Sequence, residues 1–179
     1  MNILNFIKSI GRKYALSGKE KDSSKTGIIP LERIRTAAVF LDADVPGSVN
    51  RVKQIYDYFN KKGISATVFA ITLGQQFFSE SMLKAVFIHK ENLSWCDCPK
   101  QGRRHPSLNV GEDLFISLLP EDSFPVEYAA RCSGAQFKVG RKQLPGDVYD
   151  LVISEPAGVH VNQIQAFDNI MKFIEIIQA

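Results

Sequence analysis

The sequence predicts a single α/β domain, a three-layer sandwich around a mostly parallel, Rossmann-like sheet of about five or six strands. Three observations carry this prediction. The stretch DLFISLLPEDSFPVEYAARCSGAQFKVGR, from Asp113 to Arg141, reads as strand, turn, short helix and strand. An earlier stretch, from Thr36 to Ile71, repeats strand, helix, strand at the length of a βαβ unit. The chain has 179 residues, 45% of them hydrophobic, enough for one full-sized core and too few for two.

Taken in order, residues 1–16 read as an amphipathic basic helix. Ile3, Ile7, Ile10 and Tyr14 recur on one stripe, while Lys8, Arg12 and Lys13 lie off it. Gly11 weakens this helix. Lys8 interrupts the apolar run and no small-residue cleavage site follows, so the segment does not read as a secretory signal. Residues 17–27, SGKEKDSSKTG, form a flexible polar linker, and residues 28–179 the single α/β domain. Thr36 to Leu41 is its first strand and runs into Asp42 and Asp44. A helix from Ser48 to Lys62 buries Val49, Val52, Ile55, Tyr56 and Phe59 and stops at Gly63. Ile64 to Ile71 is the second strand. Residues 73–84 fit either a short helix or an irregular connection. Ala85 to His89 is a short strand, Asn92 to Pro99 is extended and then turns, and Lys100 to Asn109 is a loop with a basic cluster at Lys100, Arg103 and Arg104.

Leu114 to Leu119, bounded by Asp113 and Pro120, is an apolar run of the kind buried on both faces of a parallel sheet. Asp122 or Ser123 caps the helix that follows, Pro125 suits its first turn, and Ser133-Gly134 stops it through a left-handed glycine. Ala135 to Gly140 is the next strand and Tyr149 to Ser154 the last. Val161 to Ile177 closes the chain as a helix with Ile164, Phe167, Ile170, Met171 and Ile174 on one face. Leu114, Ile116, Leu118, Val139, Val152 and Ile153 are expected to be almost fully buried.

The central segment DLFISLLPEDSFPVEYAARCSGAQFKVGR, the later DLVISEP and the earlier NLSW resemble a family of short, uncharacterised bacterial α/β proteins, a domain of unknown function. Ser133 to Gly140, SGAQFKVG, is the most specific part, and the resemblance covers the body from about Thr36 to the end. It implies the fold and assigns no activity. More distantly, YAARCSGA followed by QFKVG is similar to a segment in one half of the heptosyltransferase-type glycosyltransferases, a fold-level likeness that does not assign a reaction.

The net charge of +3 is mild and no dense basic stripe is present, which argues against a nucleic-acid partner. No run approaches the ~20 apolar residues needed to span a bilayer. Cys96, Cys98 and Cys132 are an odd set without framework spacing, which points to a reducing, cytoplasmic compartment. Cys132 falls on a helix face expected to be buried, and Cys96 and Cys98 read as loop thiols beside Trp95, closer together than the C-x-x-C of redox and zinc sites. Neither glycine-rich phosphate loops nor a G-x-S-x-G elbow occurs, so no cofactor is expected. His89, His105 and His160 match no metal-ligand spacing.

Asp42 and Asp44 are the leading site candidates, because ligands of open parallel sheets bind at the carboxyl ends of the strands. Two carboxylates so spaced can hold Mg²⁺, with Asp42 as nucleophile and Asp44 as acid, or can instead serve the start of the following helix. Ser117, Glu121, Asp122 and Ser123 occupy the matching edge of the central unit, where helix amides receive anions and the two carboxylates repel them. Arg141 sets positive charge near the end of the fifth strand, flanked by Lys138, its stem packed and its head in solvent, and by Lys142. Arg103, Arg104 and His105 form a second basic patch. With no complete catalytic set, the sequence reads as a non-catalytic cytoplasmic binding or interaction protein. The alternative is a metal-assisted phosphoryl or glycosyl transfer enzyme using Asp42 and Asp44. The amino-terminal helix is expected to pack on protein, on its own domain or across a homodimer, ahead of a membrane surface.

Overall fold

A computed structural model describes residues 3–18, 27–74, 84–100, 111–120, 123–155 and 158–177. The expected loop cluster of Arg103, Arg104 and His105, most of the ambiguous 73–84 stretch, most of the linker, and Glu121 with Asp122 lie outside the described residues.

The elements in order are α1 (Ile3–Leu16), β1 (Thr36–Asp42), α2 (Ser48–Lys61), β2 (Ser65–Thr72), β3 (Val86–His89), β4 (Leu114–Ser117), α3 (Phe124–Cys132), β5 (Phe137–Gly140), β6 (Leu151–Val152) and α4 (Gln163–Ile176). The six strands form one sheet in the order β3-β2-β1-β4-β5-β6, and every pair is parallel. This is the doubly wound Rossmann-like order, and the direction of winding reverses between β1 and β4.

Alternation along the strands divides the core into two layers. Val39, Leu41, Val68, Leu114, Ile116 and Val139 meet Val52, Ile55 and Phe59 of α2 and Phe167, Ile170 and Ile174 of α4 on one face. Phe40, Phe69, Phe115 and Ile88 meet Val126, Ala129 and Ala130 of α3 and the Val148–Tyr149 loop on the other. Of the expected core, Leu114, Ile116, Leu118 and Val139 are fully buried. Val152 and Ile153 are only half-buried, because β6 is a two-residue strand at the sheet edge with a neighbour on one side alone.

Three local expectations need correction. Helix α3 does end at Ser133, but Gly134 is not in the left-handed region; Ser133 itself is extended and its hydroxyl accepts the amide of Ala135 at 3.0 Å. Cys132 is half-buried, since it falls on the last turn of α3, where the helix leaves the sheet. Lys138 does not reach solvent: in the middle of a sheet covered on both faces it is only 2% exposed.

Gly140, on β5, has a packing reason to be glycine. A Cβ there would lie 2.5 Å from the ring of Tyr149, itself buried. Gly140→Ala should therefore cost about 1–3 kcal/mol in a denaturant titration, the usual penalty of overpacking. In a Tyr149→Ala background most of that cost should vanish, which a double-mutant cycle reads as coupling between the two positions. An unchanged midpoint for the single variant would show that the ring can swing aside.

Helix α1 docks on the body in an orientation the stripe did not foretell. The side that carries Lys8, Gly11 and Arg12 faces the protein. Gly11 lies against Trp95 and Cys96, where a Cβ would come within 2.7 Å of the indole, and Lys8 and Arg12 pair with Asp97. The glycine that weakens the helix is what lets it approach.

Candidate functional site

The carboxyl ends of β1 and β4 open into a cleft of about 510 Å³, lined by Asp42, Asp44, Leu119, Ser123, Phe124 and Arg12 among others. Its position follows from topology. Where the strand order reverses, the connections leave β1 and β4 in opposite directions and a crevice remains between them. Each side of the crevice is held by hydrogen bonds made by polar residues at the sheet edge.

Asp44 belongs to the loop after β1, but its carboxylate serves the end of β2. Oδ1 accepts the hydroxyl of Thr72 at 2.7 Å, and Oδ2 accepts the amides of Leu73 and Gly74 at 2.8 and 2.7 Å. The two loops are thereby fastened together. Neither aspartate caps α2, whose N-cap is Gly47 at φ +85° with no side-chain cap. The helix start is instead secured by Arg51, which donates to the carbonyl of Val45 at 2.7 Å.

Asp42 ends β1. Its Oδ1 accepts the Asp44 amide at 2.8 Å, and its own backbone is clamped by the Gln163 side chain, which accepts the Asp42 amide at 2.8 Å and donates to the Asp42 carbonyl at 3.0 Å. Burial raises the Asp42 pKa above the ordinary aspartate value, and the neighbouring Asp44 raises it further, against the pull of the Asp44 amide and Arg51. A carboxyl with a raised pKa costs stability once ionised: stability falls as pH rises from the unfolded-state value through the raised folded one and stays lower at neutral pH. Asp42→Asn, which keeps the amide acceptor, should therefore melt higher than the parent at pH 7, and the two curves should converge at pH values acid enough to protonate Asp42 in both states. A variant that melts lower at pH 7 would mean that the charge is a net benefit.

The remaining candidates do converge, on a smaller space. Ser117, Ser123 and Arg141 surround a void of about 10 Å³ together with Glu127, Lys142 and Tyr149, room for a single water and no ligand. Arg141 is a structural tie. Buried to 6% exposure, it donates to the carbonyls of Leu118 at 2.9 Å and Val161 at 2.7 Å and pairs with Glu155. Ser123 is the N-cap residue of α3 by position, but its hydroxyl makes no cap bond.

The cleft also contains residues that nothing in the sequence joined to Asp42. Arg12, from α1, lies over the ring of Phe124 with its guanidinium 4.9 Å from the centroid, pairs with Asp97 and donates to the Cys96 carbonyl at 3.3 Å. Asp97 occupies a tight turn: at φ +61°, it donates its amide to Ser94, whose own amide bonds back to Cys98. The thiols on either side of it, Cys96 and Cys98, approach to 2.9 Å and neither is in a disulfide. Among the described residues no three His, Cys, Asp or Glu side chains converge as a metal set, and no helix is long and apolar enough to cross a membrane. A second groove, of about 400 Å³ between α2 and the amino end of β2, is far from the strand-order reversal and is lined mostly by neutral side chains with Lys53 and Lys84.

No curated protein and no solved structure gives a significant match, so the distant likeness to one half of a heptosyltransferase rests on sequence resemblance alone. One family does match, described as a family of unknown function, over residues 5–177, and its extent takes in most of α1 as well as the whole sheet. On that match, the chain belongs to the DUF6913 family, a family of unknown function.

Proposed function

We propose that this chain is a non-catalytic binding protein of the bacterial cytoplasm that holds a small ligand in the cleft between β1 and β4. The observation that carries the reading is the cleft itself: about 510 Å³, at the reversal of a Rossmann-like sheet, in the size range of small-molecule sites. Its walls are largely apolar, with Leu119, Phe124 and Pro125 on one side and Ile71 and Leu73 on the other. Its carboxylates differ in use. Asp44 is engaged by three donors and Asp97 by Lys8 and Arg12, which leaves Asp42 as the acceptor best placed for a ligand. That arrangement suits a molecule with an apolar body and an amine or other hydrogen-bond donor.

Phenethylamine should therefore raise the melting temperature at millimolar concentration, phenylacetate should not, and Asp42→Asn should abolish the difference, because a ligand that binds only the native state stabilises it. Equal or absent shifts with both compounds would overturn the reading. The second reading, metal-assisted phosphoryl or glycosyl transfer, is kept by the presence of both Asp42 and Asp44 in the same cleft. It expects a shift with Mg²⁺ or Mn²⁺ that Asp42→Asn removes.

A further inference from the structure

Docking α1 on the side of Lys8, Gly11 and Arg12 leaves its apolar stripe facing outward. Ile3, Leu4, Phe6, Ile7, Ile10 and Tyr14 are all exposed, Ile3 to 74% and Tyr14 to 85%, and no residue of the helix is buried. Large apolar groups contiguous on one helix face are rare on a soluble surface and mark a docking site. The body extends this face. Trp95 is 61% exposed, and its ring lies at Gly11, one helical turn from Ile7 on the same side of the helix, so the indole flanks the stripe.

We propose that α1 and Trp95 form a surface anchor that lays the domain on an anionic lipid bilayer. Charge selects this occupant over a second copy of the chain. The helix ILNFIKSIGRKYAL carries Lys8, Arg12 and Lys13 and no acidic residue. A two-fold pairing of stripes would bring two basic helices together with only Asp97 of each copy to offset their charge. An anionic surface complements Lys13, exposed beside the stripe, and the excess positive charge where Lys8 and Arg12 share the one carboxylate of Asp97, a basic residue near such a surface contributing about 1 kcal/mol, roughly fivefold in partitioning. Tyr14 and Trp95 are the amphipathic aromatic side chains that settle at headgroup level. The pairing of Lys8 and Arg12 with Asp97 and the close approach at Gly11 fix the helix so that the whole stripe points one way, which spares part of the ordering cost of an interfacial helix.

Trp95 is the one tryptophan of the chain, so the protein carries its own probe. The full chain should float with vesicles of phosphatidylcholine containing phosphatidylglycerol, and its fluorescence should shift to the blue as it binds. Binding to pure phosphatidylcholine vesicles should be weaker by about tenfold or more, as should binding to the anionic vesicles in high salt. Ile7→Glu should reduce flotation by at least about tenfold through the lost apolar burial. It should leave the melting temperature little changed, because Ile7 is about half exposed and belongs to neither core cluster. Ile176→Glu, which removes an even more exposed apolar side chain on α4, should bind as the parent does. The proposal is overturned if the parent does not float, if Ile176→Glu weakens flotation as much as Ile7→Glu, or if the parent sediments as a dimer that Ile7→Glu dissociates and shows no affinity for anionic vesicles.

Discussion

Replacing Arg141 by methionine should cost the fold about 3–5 kcal/mol, the usual loss when one partner of a buried ion pair is removed. The guanidinium spans three acceptors from separate parts of the chain: Leu118 just past β4, Val161 ahead of α4, and Glu155. Methionine fills much of the volume but leaves both carbonyls without their donor, and each orphaned buried acceptor costs about 1–3 kcal/mol. Arg141→Lys should recover only part of the loss, because a single ammonium cannot reproduce a fork that bonds in three directions. Urea titration reads both values. A loss below about 1 kcal/mol for the methionine variant would show that water replaces the guanidinium and that the tie is incidental. The tie also bears on the site, since Val161 precedes Gln163, the residue that clamps the backbone of Asp42.

Phe40→Ala should destabilise by about 3–5 kcal/mol, the range for deleting a buried aromatic ring. Phe40 is fully buried on β1, and its ring stacks on Phe69 of β2 at 4.5 Å and on Phe115 of β4 at 4.8 Å between centroids. The three rings lie side by side on the face covered by α3, so alanine removes the middle member and leaves both neighbours facing a cavity. Phe40→Leu, which keeps most of the volume, should lose less than half as much. If the two substitutions cost the same, the aromatic row contributes nothing beyond volume. Melting curves of both variants decide between these outcomes.

The strands were legible because a parallel sheet covered on both faces writes itself as short apolar runs, and VFL in β1 or LFI in β4 needs no partner to be read. Strand order was not legible, since every central strand of such a sheet carries the same kind of run. The site was half legible. Asp42 and Asp44 stand at a strand end, a position that local pattern gives directly, but their different uses depend on Thr72, Leu73, Gly74 and Gln163, which long-range packing brings to them. Arg141 was legible as a cation at a strand end, but its partners were not. Leu118 and Val161, whose carbonyls it ties, lie some twenty positions away on either side. For α1 the stripe was read correctly and the face that docks was not, because Gly11, Lys8 and Arg12 meet a turn around Asp97 that has no sequence link to them.

The place of β1 in the sheet also sets the order in which the chain can assemble. Thr36 pairs with Ser65 across one short helix, while Ala37 must wait for Leu114 on the other side. Closing the longer loop costs only about 0.6 kcal/mol more for each doubling of its length, so the delay is kinetic in origin and small in free energy. During synthesis or refolding, the unit β1-α2-β2 can therefore form while the other edge of β1, with the sequence AAVFL, still has open backbone groups. That edge is apolar, parallel and without a charge to discourage pairing with another chain, and in this interval the protein is most exposed to misassembly.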